Sequence, residues 1–258
     1  MKGKTFSGLA EVERTRDSLF DGELYCVQHR DGYRFSIDPV LLAHFVHLTK
    51  DERILDLGAG CGVIGLILLY RFKASISSLV AFEFQAGLAG LARENCEANQ
   101  FQQQMEVIRG DLRNIKEFFQ PESFSSVVCN PPFYTLGSGR KSNNKEAEIA
   151  RHQVSCTLTE IVSAAAMAVK NRGKVYLVYP AADLGRLLII LGQNHLTAKR
   201  LQLVYSYPNP SMKARLLLIE AVKNGGEGMD ILAPFYIYDE KNGSYGEAMQ
   251  QFYRPNCG

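Results

Sequence analysis

The sequence predicts an α/β fold: a mostly parallel sheet with helices on its faces and an antiparallel hairpin at its C-terminal edge. Three observations lead there. Short apolar runs alternate with amphipathic stretches through the middle of the chain. The first of those runs ends in a glycine-rich turn that opens a helix at once. Beyond residue 195, two extended apolar stretches are joined only by the turn-rich Pro208-Asn-Pro-Ser-Met-Lys.

Taken in order, residues 23–30 and 33–36 read as a short strand pair. A helix follows, with Asp38 as N-cap, Pro39 suited to the first helical position and residues 40–48 apolar on one side. Further strands are expected at 53–57, 78–84, 105–109, 125–130 and 174–179. Helices are expected at 62–72, 86–100, 112–119, 158–170 and 182–193, with Gly173 as the C-terminal stop of the fourth. Residues 201–207 and 214–223 form the hairpin. Gly225-Gly-Glu-Gly then interrupts regular structure, and 230–238 and 247–253 read as an extended segment and a short terminal helix. The expected division is an N-terminal extension, 1–50, packed on a core domain, 51–258.

Composition narrows the function classes. A chain of 258 residues suits one large domain with a proper core. It is 46% hydrophobic and 22% charged, which is ordinary for a globular protein. The longest apolar run, 63–70, contains Gly65 and is far short of the ~20 residues that span a bilayer. The first residues carry no apolar signal-peptide core. The six cysteines, at 26, 61, 96, 129, 156 and 257, form no C-x-x-C pair. They read as reduced thiols of a cytoplasmic protein, not as disulfides or a zinc site. No membrane partner is expected, and a monomer is assumed.

The strongest local signal is Ile54-Leu-Asp-Leu-Gly-Ala-Gly-Cys-Gly. An apolar strand ends in Asp56, and Gly58, Gly60 and Gly62 follow directly before a helix. Glycines there let the backbone turn tightly and approach a ligand. The spacing is not that of the dinucleotide fingerprint, because position 63 is Val. Asp56 inside the motif would repel a pyrophosphate but not a sulfonium or an ammonium, which favours S-adenosylmethionine over a nicotinamide cofactor. Glu83 ends the next strand, where an acid meets ribose hydroxyls in such folds. Asp111 ends the third and is placed to accept from an adenine amino group. Three acids at successive strand ends say more together than any one of them alone.

The fourth strand ends in Asn130-Pro131-Pro132-Phe133. An amide or exocyclic amino nitrogen is a poor nucleophile because its lone pair is delocalised. Hydrogen bonds from its N–H groups to the Asn130 carboxamide oxygen and the Pro131 carbonyl localise that pair, and the prolines hold the turn rigid. The Phe133 ring offers a stacking face for a planar acceptor. A sulfonium methyl is already activated, so in-line positioning supplies most of the rate and no metal is required. The combination points to methyl transfer onto an amino group of a planar substrate. His44 and His47 stand three apart but lack a further ligand at matching spacing, and they read as helix-surface residues with no metal role.

The formal charge of +2 says little, but two segments are locally basic. Arg140, Lys141, Lys145 and Arg151 follow the Asn-Pro-Pro-Phe motif. Lys199, Arg200, Lys213, Arg215 and Lys223 fall on the hairpin segment. Such segments suit a polyanion, and they also suit ordinary solvated loops.

With both motifs in order, the chain resembles the Rossmann-like class I methyltransferases of the N6-adenine and N5-glutamine type. A closer resemblance covers nearly the whole length. It rests on Phe35-Ser-Ile-Asp-Pro-Val-Leu-Leu-Ala, Ala150-Arg-His-Gln, Leu218-Ile-Glu-Ala-Val-Lys-Asn-Gly and Leu232-Ala-Pro-Phe-Tyr-Ile-Tyr-Asp-Glu-Lys-Asn-Gly-Ser-Tyr. These are similar to the bacterial tRNA(Val) adenine-N6 methyltransferase family. The resemblance implies tRNA as partner, and it places Arg151 and His152 near the acceptor, beside the candidate substrate contacts Phe133, Arg140, Lys141, Lys213 and Arg215. Phe133 stands where Tyr is commoner in that family, and Ala221 where Gly is expected. Guanine N2 in rRNA and a protein glutamine amide remain alternative acceptors, since the Asn-Pro-Pro-aromatic motif serves them too. A cofactor-binding, RNA-associated protein without turnover is the reading of another class; the intact Asp56, Glu83, Asp111 and Asn130 argue against it.

Overall fold

The computed structural model describes residues 14–30, 36–131 and 156–255. Among them a nine-stranded sheet forms the centre of the molecule. Its parallel part is β3 (Glu52–Leu57), β4 (Ile76–Glu83), β5 (Met105–Arg109), β6 (Phe124–Cys129) and β7 (Val169–Pro180). β9 (Leu216–Lys223) runs antiparallel to β7 and to β8 (Leu196–Tyr205), which completes the expected hairpin. Two short strands, β10 (Asp230–Ile231) and β11 (Phe235–Tyr236), add to the outer side of β8.

The strand order across the sheet is β10-β8-β9-β7-β6-β3-β4-β5. The order reverses direction between β3 and β6, so the crevice of an open α/β sheet falls beside those strands' carboxyl ends. One face is covered by α1 (Asp38–Phe45), α2 (Val63–Phe72) and α3 (Ala86–Ala98). The other is covered by α4 (Leu158–Ala168) and α5 (Leu184–Gln193). α2 is apolar nearly all round, and residues 63–69 are all buried, as a helix pressed between sheet and neighbours must be. Each fully buried Leu or Ile side chain there contributes roughly 1.5–3 kcal/mol. A final short helix, α6 (Glu247–Gln251), docks through Phe252, whose ring stacks on His44 at 4.0 Å between centroids.

Several elements differ from expectation, each for a local reason. Residues 24–29 do form a strand, β2 (Leu24–His29), but its partner is β1 (Arg14–Leu19) and not 33–36. Ser36 is irregular, and 33–35 lie outside the described residues. Asp38 is not the N-cap of α1. It sits within the first turn, Ile37 occupies the cap without a side-chain bond, and the Asp38 N–H donates to Ser36 Oγ at 3.3 Å.

Gly173 is not a helix stop. α4 ends at Ala168, and its Thr157–Glu160 capping box fixes the start. The chain then enters β7 directly, with a register shift against β6 that accommodates Arg172 at φ +64. Gly173 lies inside the strand because a Cβ there would meet Ser125 O at 2.7 Å. Residues 112–117 form a 3₁₀ segment capped by Asp111, not an α-helix. His44 is half-buried under Phe252, not on the surface, and burial lowers its ring pKa to about 3. His47 lies beyond α1, and its Nδ1 sits 2.9 Å from Arg200 Nη1.

Candidate active site

Each strand of the parallel part delivers its last residue to one edge of the sheet. There a cavity of about 280 Å³ opens, walled by Gly58 and Gly60 after β3, Glu83 at the end of β4, Asp111 after β5, and Asn130 and Pro131 after β6. Phe84, Leu112 and Ile161 supply an apolar side to the same space.

The glycine turn is held from below by the neighbouring strand. The Gly58 and Ala59 N–H groups both donate to Phe82 O, at 2.8 and 3.1 Å. Gly58, Gly60 and Gly62 all have positive φ, at 77, 59 and 84°. Their roles divide. A Cβ on Gly58 would meet nothing within 4 Å, whereas one on Gly62 would meet Met105 Cε at 3.0 Å and Ala92 Cβ at 3.3 Å. Gly58 keeps space for a ligand, while Gly62 keeps space for the packing of α2.

Glu83 crosses to that turn. Its Oε2 accepts the Gly60 N–H at 2.9 Å and its Oε1 accepts the Gln85 N–H at 2.8 Å. Burial pushes its carboxyl above the usual range, and those N–H donors oppose the shift. Asp56 lies under the glycine turn, fully buried; neither it nor Gly62, both expected cofactor residues, lines the cavity wall. Its Oδ2 accepts the Gly65 N–H at 3.3 Å, and its Oδ1 has no partner. Burial raises the Asp56 pKa to about 7, against the Gly65 N–H and with a further push from the Glu83 charge.

Asp111 is on the wall as expected, but it brings a partner the sequence did not reveal. Arg113 donates to it through its main-chain N–H at 3.0 Å and through its guanidinium at 2.9 Å. That hydrogen bonding holds the Asp111 carboxyl below its usual range. Gly110 beside it cannot carry a side chain, since a Cβ would meet the Phe82 ring at 2.5 Å. Phe84 is a second wall residue that reading the sequence passed over: it is apolar yet 40% exposed, which only the fold reveals.

The remaining candidates separate clearly. Pro132, Phe133, Arg140, Lys141, Lys145, Arg151 and His152 lie outside the described residues. Lys213 and Arg215 are exposed and off the cavity wall, in the turn between β8 and β9. Because β9 begins where β7 ends, with Leu216 opposite Pro180, that turn lies on the same sheet edge as the cavity. Lys199 and Arg200 do not belong with them. They sit within β8; Lys199 Nζ donates to the carbonyls of Gly226 and Glu227, and Arg200 pairs with Glu220 at 2.8 Å. Lys223 is likewise occupied, by Glu122 at 3.0 Å and by the Ala166 carbonyl at 2.8 Å.

Residues 37–182 match the family model of the methyltransferase small domain. The chain belongs to this family. Among curated proteins, the methyltransferase small-domain chain is similar to the tRNA1(Val) (adenine(37)-N6)-methyltransferase of Shewanella loihica, 29% identical over 86% of this chain and 93% of that one. The protein of the same name from Bacteroides thetaiotaomicron is 27% identical over 91% and 97%. Among solved structures, a predicted O-methyltransferase from Agrobacterium tumefaciens superposes with a TM-score of 0.67 at 20% identity, covering 84% of this chain and 95% of that one. The fold is the Rossmann-like one of class I methyltransferases, with the antiparallel hairpin at its edge.

A methyltransferase of this kind takes S-adenosylmethionine as cofactor, and the residues present fit it. The cofactor is cationic at sulfur and nitrogen, carries a ribose diol and ends in a flat base. The site offers an orphaned buried carboxylate oxygen under the turn, a second carboxylate at the wall and an apolar slot beside Asp111. Among the described residues no helix is long and apolar enough to cross a membrane, and no cluster of metal-ligating side chains occurs.

Proposed function

We propose that this enzyme methylates the exocyclic N6 amino group of an adenine in tRNA, as a cytoplasmic step of tRNA processing. The observation that carries the reading is the meeting of Asn130 and Pro131 with Gly58, Gly60 and Glu83 on one cavity wall. Acceptor polarisation and cofactor cradle thereby face the same space. The names of the Shewanella and Bacteroides relatives support adenine and tRNA over other acceptors.

In this reading the domain 51–258 carries the chemistry and the extension 1–50 packs on it. Glu83 receives the ribose hydroxyls, the glycine turn receives the amino-acid end, and Asp111 receives the base amino group. Bound there, the cofactor supplies an activated methyl group. The Asn130 carboxamide oxygen and the Pro131 carbonyl accept the two N–H groups of the target, drawing its nitrogen toward tetrahedral geometry and aiming its lone pair. Phe133 stacks on the unpaired base, Arg140 and Lys141 bind its flanking phosphates, and Arg151 and His152 serve the acceptor.

The turn at Lys213 and Arg215 docks the RNA further out. Tyr205, at the end of β8 just before that turn, is the registered partner of Tyr236 on β11, and their rings lie 5.7 Å apart between centroids. Two aromatic rings and the exposed cations of the turn therefore lie at the same end of the sheet, a combination suited to phosphates and unstacked bases.

The decisive experiment incubates the protein with labelled S-adenosylmethionine and bulk tRNA, rRNA or protein, followed by nucleoside mass spectrometry. N6-methyladenosine in tRNA is expected. Label in guanine N2 or in protein glutamine would replace this reading, and binding without turnover on any of the three would make the chain a non-catalytic cofactor binder.

A further inference from the structure

The cavity wall also carries a thiol that the methyl-transfer reading does not use. Cys61 lies between Gly60 and Gly62 in the turn, and its Sγ is 3.7 Å from the Sγ of Cys26 on β2. Both side chains are buried. Asn95 on α3 holds the two together: its Nδ2 donates to Cys26 Sγ at 3.5 Å, to the Cys61 carbonyl at 2.9 Å and to the Val27 carbonyl at 3.0 Å. A disulfide needs the sulfurs about 2.0 Å apart. The remaining approach falls within side-chain rotation and a small shift of a turn built on left-handed glycines.

We propose that Cys26 and Cys61 form a disulfide when a hydroperoxide enters the cofactor cavity, and that this bond lowers cofactor affinity. The proposal extends the cofactor reading of the same cavity by giving it a site of covalent modification. Two features single out Cys61 as the attacking sulfur. Among the described residues it is a wall thiol whose sulfur touches that of a second cysteine, at 3.7 Å. Its pKa is also pulled down, by the hydrogen bond it shares with Cys26 and by the N–H groups of Val63 and of Cys61 itself, against the effect of burial. The other wall thiols shift the opposite way. Burial drives Cys129 well above its ordinary value and takes Cys156 to about 11.

The Cys61 sulfur attacks one peroxide oxygen, the O–O bond breaks, and the departing hydroxide leaves as water after taking a thiol proton. Cys61 is then a sulfenic acid. The Cys26 sulfur attacks the Cys61 sulfur, the S–O bond breaks, and the second hydroxide takes the other thiol proton. Two thiols lose two electrons and two protons, and one hydrogen peroxide becomes two waters.

The bond acts on the site through Gly60. Drawing Cys61 toward β2 shifts the adjoining Gly60 N–H, which Glu83 Oε2 accepts at 2.9 Å. The turn and the carboxylate at the wall are thereby displaced together.

The test treats the intact protein with hydrogen peroxide, with and without S-adenosylhomocysteine, and maps disulfides by peptide mass spectrometry. A Cys26–Cys61 crosslink is expected, slowed by the bound nucleoside. Cofactor affinity is expected to fall about tenfold or more by calorimetry, and to return with dithiothreitol. Cys26→Ala is expected to bind cofactor as wild type does and to leave a trappable sulfenic acid on Cys61. The proposal is overturned if both cysteines remain free to alkylation after unfolding, if the crosslink joins other cysteines, or if the crosslinked protein binds cofactor undiminished. Failure of the cofactor reading would look different: the reduced protein itself would not bind.

Discussion

Glu83 and Gly60 are joined by a hydrogen bond of 2.9 Å from the Gly60 N–H to Glu83 Oε2. One carboxylate thus ties the end of β4 to the turn after β3, while keeping lone pairs for a ligand. Glu83→Ala is expected to weaken S-adenosylmethionine binding by roughly 1.5–3 kcal/mol, the range for losing charge-assisted hydrogen bonds. Titration calorimetry measures it. Unchanged affinity would mean that Glu83 serves only to brace the turn.

The glycines of that turn are expected to fail in different ways. A non-glycine residue at positive φ costs roughly 1–2 kcal/mol wherever it sits. Gly62→Ala adds crowding against Met105 and Ala92, so its main effect is on stability, a melting temperature lower by several degrees. Gly58→Ala puts its methyl into open cavity space, so its additional effect is on cofactor affinity. Thermal melts and calorimetry on the two variants separate the roles; equal losses of affinity would refute the division.

Asp56 gives the protein an unusual pH dependence. Its folded pKa, about 7, lies above its ordinary 3.8, so the folded chain keeps a proton that the unfolded chain releases. Its contribution to stability is therefore fully present below about 4 and is lost as pH rises through about 7. Asp56→Asn is expected to remove that fall, which denaturant melts between pH 5 and 8 can record. A cationic cofactor favours the ionised form, so its binding to wild type near pH 7 should release protons, visible as a buffer-dependent heat. A stability profile unaltered by Asp56→Asn would place the titration elsewhere.

What could be read from the sequence follows from what is local. The strand-glycine-helix turn, the parallel strands and the hairpin are marked by apolar runs and by glycines that the backbone requires. β1 was missed because Arg14–Leu19 has only one apolar residue, Leu19, and takes its strand form from pairing with β2. The start of β7 was missed because Val169 continues the helical pattern of α4, the polar Lys170-Asn-Arg that follows shows no strand alternation, and Gly173 is the residue expected of a helix end. At the site, the three acids were found at their strand ends, but not which of them line the cavity. Whether a carboxylate sits on the wall, like Glu83, or beneath it, like Asp56, depends on which face of its strand is covered. Long-range partners were equally out of reach: Arg200 meets Glu220 through strand pairing, and Cys26 meets Cys61 through Asn95 on a third element.

Asn130 divides chemistry from binding. It lines the cavity wall directly after β6. Asn130→Ala is expected to abolish methyl transfer while leaving cofactor affinity within a few-fold of wild type, since the remaining wall residues are untouched. Single-turnover assays and calorimetry together decide it. Loss of both properties would make Asn130 a structural residue of the turn.

The RNA-docking surface is open to a test with an internal control. An extruded adenine costs a few kcal/mol of unstacking, and phosphate contacts must offset much of it. Exposed cations that contact phosphates release counterions, so each one lost lowers the salt slope of binding by about 1. Lys213 and Arg215 are exposed on the cavity edge of the sheet, so replacing both by Ala should flatten the slope and raise the apparent KM for tRNA with cofactor affinity unchanged. Lys199 carries the same charge on the same hairpin, but its ammonium is already held by the Gly226 and Glu227 carbonyls, away from the tip. Lys199→Ala should therefore leave the slope as it is. Adding Tyr236→Ala to the double variant should weaken tRNA binding further without altering the slope, because stacking releases no ions. If Lys199→Ala and the double variant shift the slope alike, binding follows net charge and not the turn that carries Lys213 and Arg215.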